Sequence, residues 1–220
     1  YKVRRVLELE RLFLYLCYND GGILDIQTIA KELDGVNKGT VTNFLDLFEA
    51  THLIYRLKPY GYGKEVLRGR DKVYLADAAL PGAVTLQGRK LLERPERLGA
   101  AVETAFFKHV FTRFYTQAPR FSYWKGPKDE EADLIAELPE RAVPFEVKYQ
   151  DADITGKKLK GLRHFLERYE IEQGYVITQR YQDFGPLELT SAMKGREREM
   201  LKAQVMAIPA PLACFWLSES

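Results

Sequence analysis

Apolar side chains recur at helical spacing over the first fifty residues, and after that they alternate with polar ones. The spacing predicts helices over residues 3–18, 26–33 and 38–51, separated by glycine-containing turns at 20–22 and 34–35. The alternation predicts a strand over 54–60 and a returning strand over 73–75. The N-terminal third of the chain is therefore predicted to hold three helices followed by a two-stranded ribbon.

This order of elements is typical of a winged helix-turn-helix, in which the third helix can enter a DNA major groove. We assign it to residues 1–78. Residues 56–72 hold six basic side chains against two acidic ones, and basic side chains that neutralise phosphates release counterions. The candidate nucleic-acid contacts are Lys38, Thr40, Asn43, Lys64, Arg68 and Arg70. A solvated hairpin in a domain that contacts proteins is the alternative.

A mixed α/β domain is predicted over residues 98–220, after a Pro- and Gly-containing connector at 79–97. Its predicted elements are a helix from 98, strands at 121–124, 132–138 and 143–150, a helix at 159–169 and a strand at 175–178. A basic helix at 191–203 and an apolar segment at 205–217 follow.

Three carboxylates and a lysine in this domain are the candidate catalytic residues. Alternation along a strand places Glu146 and Lys148 on one face, opposite Phe145. A hairpin-length link makes Asp133 a cross-strand neighbour of Glu146, and Glu103 lies on the preceding helix. Carboxylate oxygens bind Mg²⁺ or Mn²⁺, and a metal ion activates water and stabilises charge on a phosphate. The alternative is a solvated strand face with ordinary ion pairs.

Charge changes sign along the chain, although the formal net charge is only +2. Residues 129–146 hold seven acidic side chains and one basic, whereas residues 148–168 hold six basic and three acidic. An acidic metal site between basic flanks fits this pattern. We therefore add Lys157, Lys158 and Lys160 to the candidate nucleic-acid contacts.

The ordered set of Glu103, Asp133 and Glu146-Val147-Lys148 resembles the PD-(D/E)XK nuclease-like superfamily. Glu131-Ala132-Asp133 departs from its Pro-Asp dipeptide. The resemblance implies a restriction-endonuclease-like α-β-β-β-α-β core with a mixed sheet. It also implies that Asp133 and Glu146 bind the metal, that Glu103 assists, and that Lys148 positions the attacking water.

Nearly the whole chain also resembles the C-terminal half of a group of bacterial and archaeal AAA+ ATPase-like proteins. The segments that carry this resemblance are 40–45, 49–54, 72–77, 99–103, 123–124, 131–133 and 144–148. The resemblance implies an upstream ATPase domain that binds ATP, since no G-x-x-x-x-G-K-[ST] occurs in this chain.

The predicted function is Mg²⁺-dependent endonuclease cleavage of phosphodiester bonds, with DNA as the expected substrate. Two rivals stay open: a non-catalytic module that binds nucleic acid or protein for the ATPase, and a regulator that acts through the winged helix alone.

Two distant cysteines and the lack of an apolar run of about 18 residues favour a cytoplasmic protein outside the membrane. The start at Tyr1 suggests a fragment, and a homo-oligomer is left open.

Overall fold

A computed structural model of the chain describes residues 5–64, 66, 69–127, 130–190 and 200–218. The chain divides into two compact units, one formed by Tyr1–Lys58 with Arg68–Ala105 and the other by Pro59–Leu67 with Phe106–Ser220. The boundaries after residues 78 and 97 stay a prediction. No helix within the described residues is long and apolar enough to cross a membrane.

The first unit contains the three predicted helices, α1 (Val6–Tyr18), α2 (Ile26–Glu32) and α3 (Lys38–Ala50). Asp25 starts α2 by accepting hydrogen bonds from the backbone of Gln27 and Thr28, and the Asn37 side chain caps α3 in the same way. The apolar stripes of the three helices share one core. Strands β1 (Ile54–Pro59) and β2 (Lys72–Leu75) pair antiparallel, with Ile54 opposite Leu75.

The predicted connector is helical. It contains α4 (Leu80–Val84), a 3₁₀ helix (Gly88–Glu93) and the start of α5 (Pro95–Phe114). The first two elements are too short to show a periodic apolar stripe. Helix α5 begins three residues before the predicted start, at Pro95, because proline is well suited to the first helical position.

The second unit contains a mixed six-stranded sheet. Its strands are β3 (Arg120–Lys125), β4 (Glu131–Glu137), β5 (Ala142–Lys148), β6 (Gln173–Thr178), β7 (Gly185–Leu187) and β8 (Gln204–Pro209). They lie in the order β3-β4-β5-β6-β8-β7, and β5, β6 and β8 run parallel. The predicted mixed α/β character is confirmed. The three-residue strand β7 is too short to predict, and residues 191–199, most of the predicted basic helix, lie outside the described residues.

Two further helices follow strands of this sheet: α6 (Lys160–Arg168) after β5, and α7 (Ala210–Ser218) after β8. Leu162 and Leu166 of α6 pack with Val176 of β6 on one face of the sheet. Helix α6 also approaches β4 very closely, since a Cβ on Gly161 would lie 1.9 Å from the backbone oxygen of Glu131. On the other face, Phe145 of β5 contacts Phe106 of α5.

Candidate acidic site on strands β4 and β5

The candidate site lies where the pairing of β4 with β5 ends. The antiparallel register runs from Glu137 opposite Ala142 to Leu134 opposite Phe145. Strand β4 also holds one extra residue relative to β3. Ser122 pairs with Ile135 and Trp124 pairs with Ala132, so one residue of β3 lies opposite two residues of β4. Such a β-bulge changes the direction of nearby side chains. Asp133 lies in this bulge, next to the last β4–β5 pair.

Asp133 bridges the two strands with its side chain. Its Oδ2 accepts a hydrogen bond of 2.8 Å from the backbone N–H of Val147. The carboxylate thus takes the place that a backbone carbonyl of β4 would hold in a continued ladder. Asp133 is 9% exposed, so this contact satisfies a donor in a largely dry environment.

Glu146 and Lys148 form an ion pair on the face of β5 opposite Phe145. Lys148 Nζ lies 2.5 Å from Oε1 of Glu146. Glu146 is 3% exposed, whereas the Lys148 side chain lies at the rim and is one-quarter exposed. We call Asp133, Glu146 and Lys148 the β4–β5 cluster. The structure thus places two buried carboxylates on neighbouring strands and a lysine toward solvent.

The donor set of the β4–β5 cluster suits a hard divalent cation. Mg²⁺ in proteins is commonly held by one or two carboxylates together with waters and substrate phosphates. Asp133 and Glu146 supply two carboxylates of this kind. No group of three or more His, Cys, Asp or Glu side chains with metal-binding geometry occurs among the residues described here. A metal held by these two carboxylates would therefore need water or other oxygens to complete its coordination.

Glu103 belongs to the first unit, where two neighbours hold its carboxylate. Its Oε1 lies 2.9 Å from Lys72 Nζ and accepts a 2.7 Å hydrogen bond from the Tyr74 hydroxyl. Lys72 is 1% exposed. Glu103 therefore anchors the buried start of β2 to α5. The structure brings Asp133, Glu146 and Lys148 together on β4 and β5, and it gives Glu103 these separate contacts.

The candidate nucleic-acid contacts of the predicted winged helix lie on α3 and on the segment between the ribbon strands. Lys38 and Asn43 are exposed in the first half of α3, and Thr40 between them is half-buried. Lys64 is exposed on the segment between the ribbon strands, which belongs to the second unit. Arg70 is mostly exposed and forms an ion pair of 2.8 Å with Asp25, whereas Arg68 lies outside the described residues.

The ribbon is less basic at its surface than its sequence indicates. Arg56 is bonded to Asp46 and Glu49 of α3, and Lys58 lies 2.6 Å from Asp71. Lys72 is buried against Glu103. These three of the six basic side chains counted over residues 56–72 are thus paired with carboxylates. A count of charges along the strand does not reveal acidic partners supplied by helices.

The lysines before and within α6 differ in their surroundings. Lys157 and Lys158 are exposed. Lys160 lies 2.7 Å from Oε1 of Glu130, and Oε2 of Glu130 lies 2.6 Å from His164 Nδ1. Burial alone would raise the pKa of Glu130, but hydrogen bonds from Lys160 and His164 hold that pKa below its ordinary value.

Sequence reasoning missed the contact between Glu130 and His164. His164 is half-buried, bonded to Glu130 and packed against the Trp124 ring. The signal was available in part, since Lys160 and His164 are four residues apart and so share a helix face. Their acidic partner precedes β4 and is thirty residues away, so no spacing rule could identify it.

Two family models match different parts of the chain. Residues 98–193 match the Domain of unknown function (DUF4143). Residues 1–91 match a second one, Domain of unknown function (DUF8612). Asp133, Glu146 and Lys148 all lie in the first match, and α1 to α3 with the ribbon lie in the second.

Two curated relatives are similar to part of this chain. They are uncharacterized protein Rv2008c of Mycobacterium tuberculosis and uncharacterized protein Mb2031c of Mycobacterium bovis. Each is 29% identical over 143 residues, which is 64% of this chain and 32% of the relative. The chain thus spans about a third of the length of the curated relatives it matches.

Proposed function

We propose that the β4–β5 cluster hydrolyses phosphodiester bonds in DNA with the help of Mg²⁺ or Mn²⁺. The observation that carries this proposal is that Asp133 and Glu146, both largely buried, lie on adjacent strands where the β4–β5 pairing ends, with the partly exposed Lys148 paired to Glu146. Carboxylate pairs of this kind suit a metal that also takes phosphate oxygens.

Each residue has a distinct role in the proposed reaction. Asp133 and Glu146 hold the metal, which when bound would lower the pKa of a water and offset charge on the phosphate. Lys148 orients the attacking water and places a positive charge beside the phosphate. Asp133 keeps its orientation because Val147 N–H fixes one of its oxygens.

The exposed basic residues have a place in this proposal as DNA contacts. Lys38 and Asn43 of α3 would act as in a winged helix, with Lys64 and Arg70 near the ribbon. Lys157 and Lys158 precede α6 and would bind the DNA backbone close to the cluster. The proposal also includes an ATPase domain elsewhere in a longer protein, which would bind ATP.

The decisive experiment is cleavage of single-stranded, linear and circular DNA, and of RNA, with Mg²⁺, Mn²⁺ or EDTA. We expect metal-dependent cleavage of DNA that is lost in Asp133→Asn, Glu146→Gln and Lys148→Met. Glu188→Gln and Lys202→Met, which alter exposed side chains of the same unit, are the matched controls. Two results would contradict the catalytic proposal: cleavage that persists in the cluster variants, or no cleavage of any of the four nucleic acids.

A non-catalytic binding module is the second candidate. The 2.5 Å ion pair between Lys148 and Glu146 favours it, because the pair engages a carboxylate oxygen that a metal would need. Thermal unfolding with added Mg²⁺ or Mn²⁺ separates the two candidates, since a metal that binds only the folded chain raises Tm. Two results together would favour the binding module. The chain would bind DNA in a salt-sensitive way, and added metal would give no increase in Tm that Glu146→Gln abolishes.

A further inference from the structure

A large cavity lies on the opposite face of the sheet from the β4–β5 cluster. Its volume is about 590 Å³, and it extends between α5 and α7 over strands β5, β6 and β8. Phe145 and Tyr175 form its floor with their rings stacked 5.5 Å apart. Phe106 and Trp216 are on its two helical walls. The cavity lies entirely within the second unit.

Parallel strands are seldom left open to solvent on either face. The face of β6 and β8 that packs on α6 is covered by Leu162 and Leu166. The opposite face carries Ile177 and Ile208, which line the cavity. Ile177 is 1% and Ile208 8% exposed, so α5 and α7 already cover this face of the sheet, and the surface open to a partner is the mouth of the cavity.

The mouth of the cavity continues into exposed aromatic side chains. Trp216 is 46% exposed, and it contacts Phe184 at a ring distance of 5.9 Å. Phe215 on the same helix is more than half exposed. A ligand that filled only the cavity would leave these rings in water, whereas a longer partner would cover them as well. Apolar patches of this kind mark interaction surfaces.

The polar end of the cavity favours a basic partner. The turn before β5 and the segment before β6 bring Glu140, Glu170 and Glu172 to its lining, against one arginine, Arg141. A partner with a positive charge beside its apolar side chains would complement this end. An amphipathic helix laid into an apolar groove presents both features, with apolar anchors one turn apart and charges at its end.

We propose that this cavity is a docking groove for an amphipathic protein helix with apolar side chains on one face and a basic end. Its apolar side chains would enter the cavity beside Tyr175 and Trp216, and its basic end would meet Glu140, Glu170 and Glu172. The groove is distinct from the β4–β5 cluster, so this proposal does not depend on nuclease activity.

Selection of helical peptides from a display library on the folded chain tests the proposal. We expect enriched peptides with apolar residues at helical spacing and a Lys or Arg end. Trp216→Ala should weaken their binding about tenfold, as truncation of a central interface aromatic does. Glu172→Lys should weaken it by about two- to fivefold, the effect of an exposed ion pair, and a peptide with Glu in place of Lys should recover the loss.

Controls show whether the groove itself is responsible. Glu188→Lys should bind like the parent, and thermal unfolding of each variant shows that it is folded. Equal binding by Trp216→Ala and the parent, no enrichment, or enriched peptides without helical spacing would overturn the proposal. A dimer seen by sedimentation that Trp216→Ala dissociates would overturn it in favour of a second copy of this chain.

Discussion

The side chain of Asp133 accepts a 2.8 Å hydrogen bond from the backbone N–H of Val147 on the neighbouring strand. This contact gives Asp133 a structural role besides the proposed metal-binding one, and the two roles depend on different properties. The hydrogen bond needs an oxygen acceptor, whereas a divalent cation needs the negative charge. Substitutions that differ only in charge can therefore separate stability from metal binding.

We expect Asp133→Ala and Asp133→Asn to differ in stability but not in metal affinity. The alanine variant leaves the buried Val147 N–H without this acceptor and should lose about 1–3 kcal/mol. The asparagine variant retains an oxygen and should unfold near the parent. Both should lose the increase in Tm that Mn²⁺ gives the parent. Urea unfolding and Mn²⁺ titration test this, and equal destabilisation by the two substitutions would contradict the assignment.

The ion pair between Glu146 and Lys148 predicts measurable coupling. Because the carboxylate is buried, loss of either partner should destabilise the chain by more than loss of an exposed charge. A double-mutant cycle with Glu146→Gln and Lys148→Met should give a coupling free energy of about 0.5–3 kcal/mol, as for residues in contact. The measurement is urea unfolding of all four proteins. Additive losses would show that the pair contributes no interaction of its own.

The elements of this fold were more predictable than their contacts. Periodicity identified the strands that carry Asp133 and Glu146, because alternation over five or more residues is a local property of the sequence. The β-bulge that contains Asp133 could not be predicted, since it is visible only in the register with β3. The contacts of Glu103 with Lys72 and Tyr74 join residues about thirty positions apart, and no spacing rule reaches that far.

Two helical glycines should respond oppositely to alanine. A Cβ on Gly161 would lie 1.9 Å from the oxygen of Glu131, so α6 or β4 must move. We expect Gly161→Ala to destabilise the chain by about 1–3 kcal/mol, as overpacking does. A Cβ on Gly99 of α5 would meet no atom within 4 Å, so Gly99→Ala should stabilise it by about 0.5–1 kcal/mol. Thermal unfolding measures both; a Gly161→Ala protein as stable as the parent would refute the close packing.

Glu130 predicts a loss of stability in acid. Burial opposes its ionisation, but Lys160 and His164 hold its pKa below the ordinary value of 4.5, so the folded chain favours the carboxylate. The stability that the ionised Glu130 contributes is present above that ordinary pKa, and it is lost as the pH falls through the lower pKa of the folded chain. Glu130→Gln should therefore be less stable than the parent at neutral pH, and the difference should shrink in acid. Urea unfolding across pH tests this, with Lys157→Met as an exposed control.

The contribution of Asp20 to stability should depend on pH in the opposite sense to that of Glu130. Burial raises its pKa to about 6, although Leu75 N–H and the Thr104 hydroxyl donate to it, and the charge of Glu103 adds to the rise. The folded chain thus holds a proton that the unfolded chain releases near the ordinary pKa of 3.8. The free energy of unfolding that this proton contributes is fully present below pH 3.8. It falls as the pH rises toward 6 and is absent at higher pH.

Asparagine at position 20 removes this titration and retains an oxygen that can accept from Leu75 N–H. Relative to the parent, Asp20→Asn should therefore gain free energy of unfolding as the pH rises, by up to about 3 kcal/mol at neutral pH. The matched control is Lys31→Met, at an exposed side chain of the same unit. Urea unfolding in steps between about pH 3 and pH 7, a range that contains both pKa values, measures the difference. A difference that stays constant over this range would mean that Asp20 is charged in the folded chain throughout.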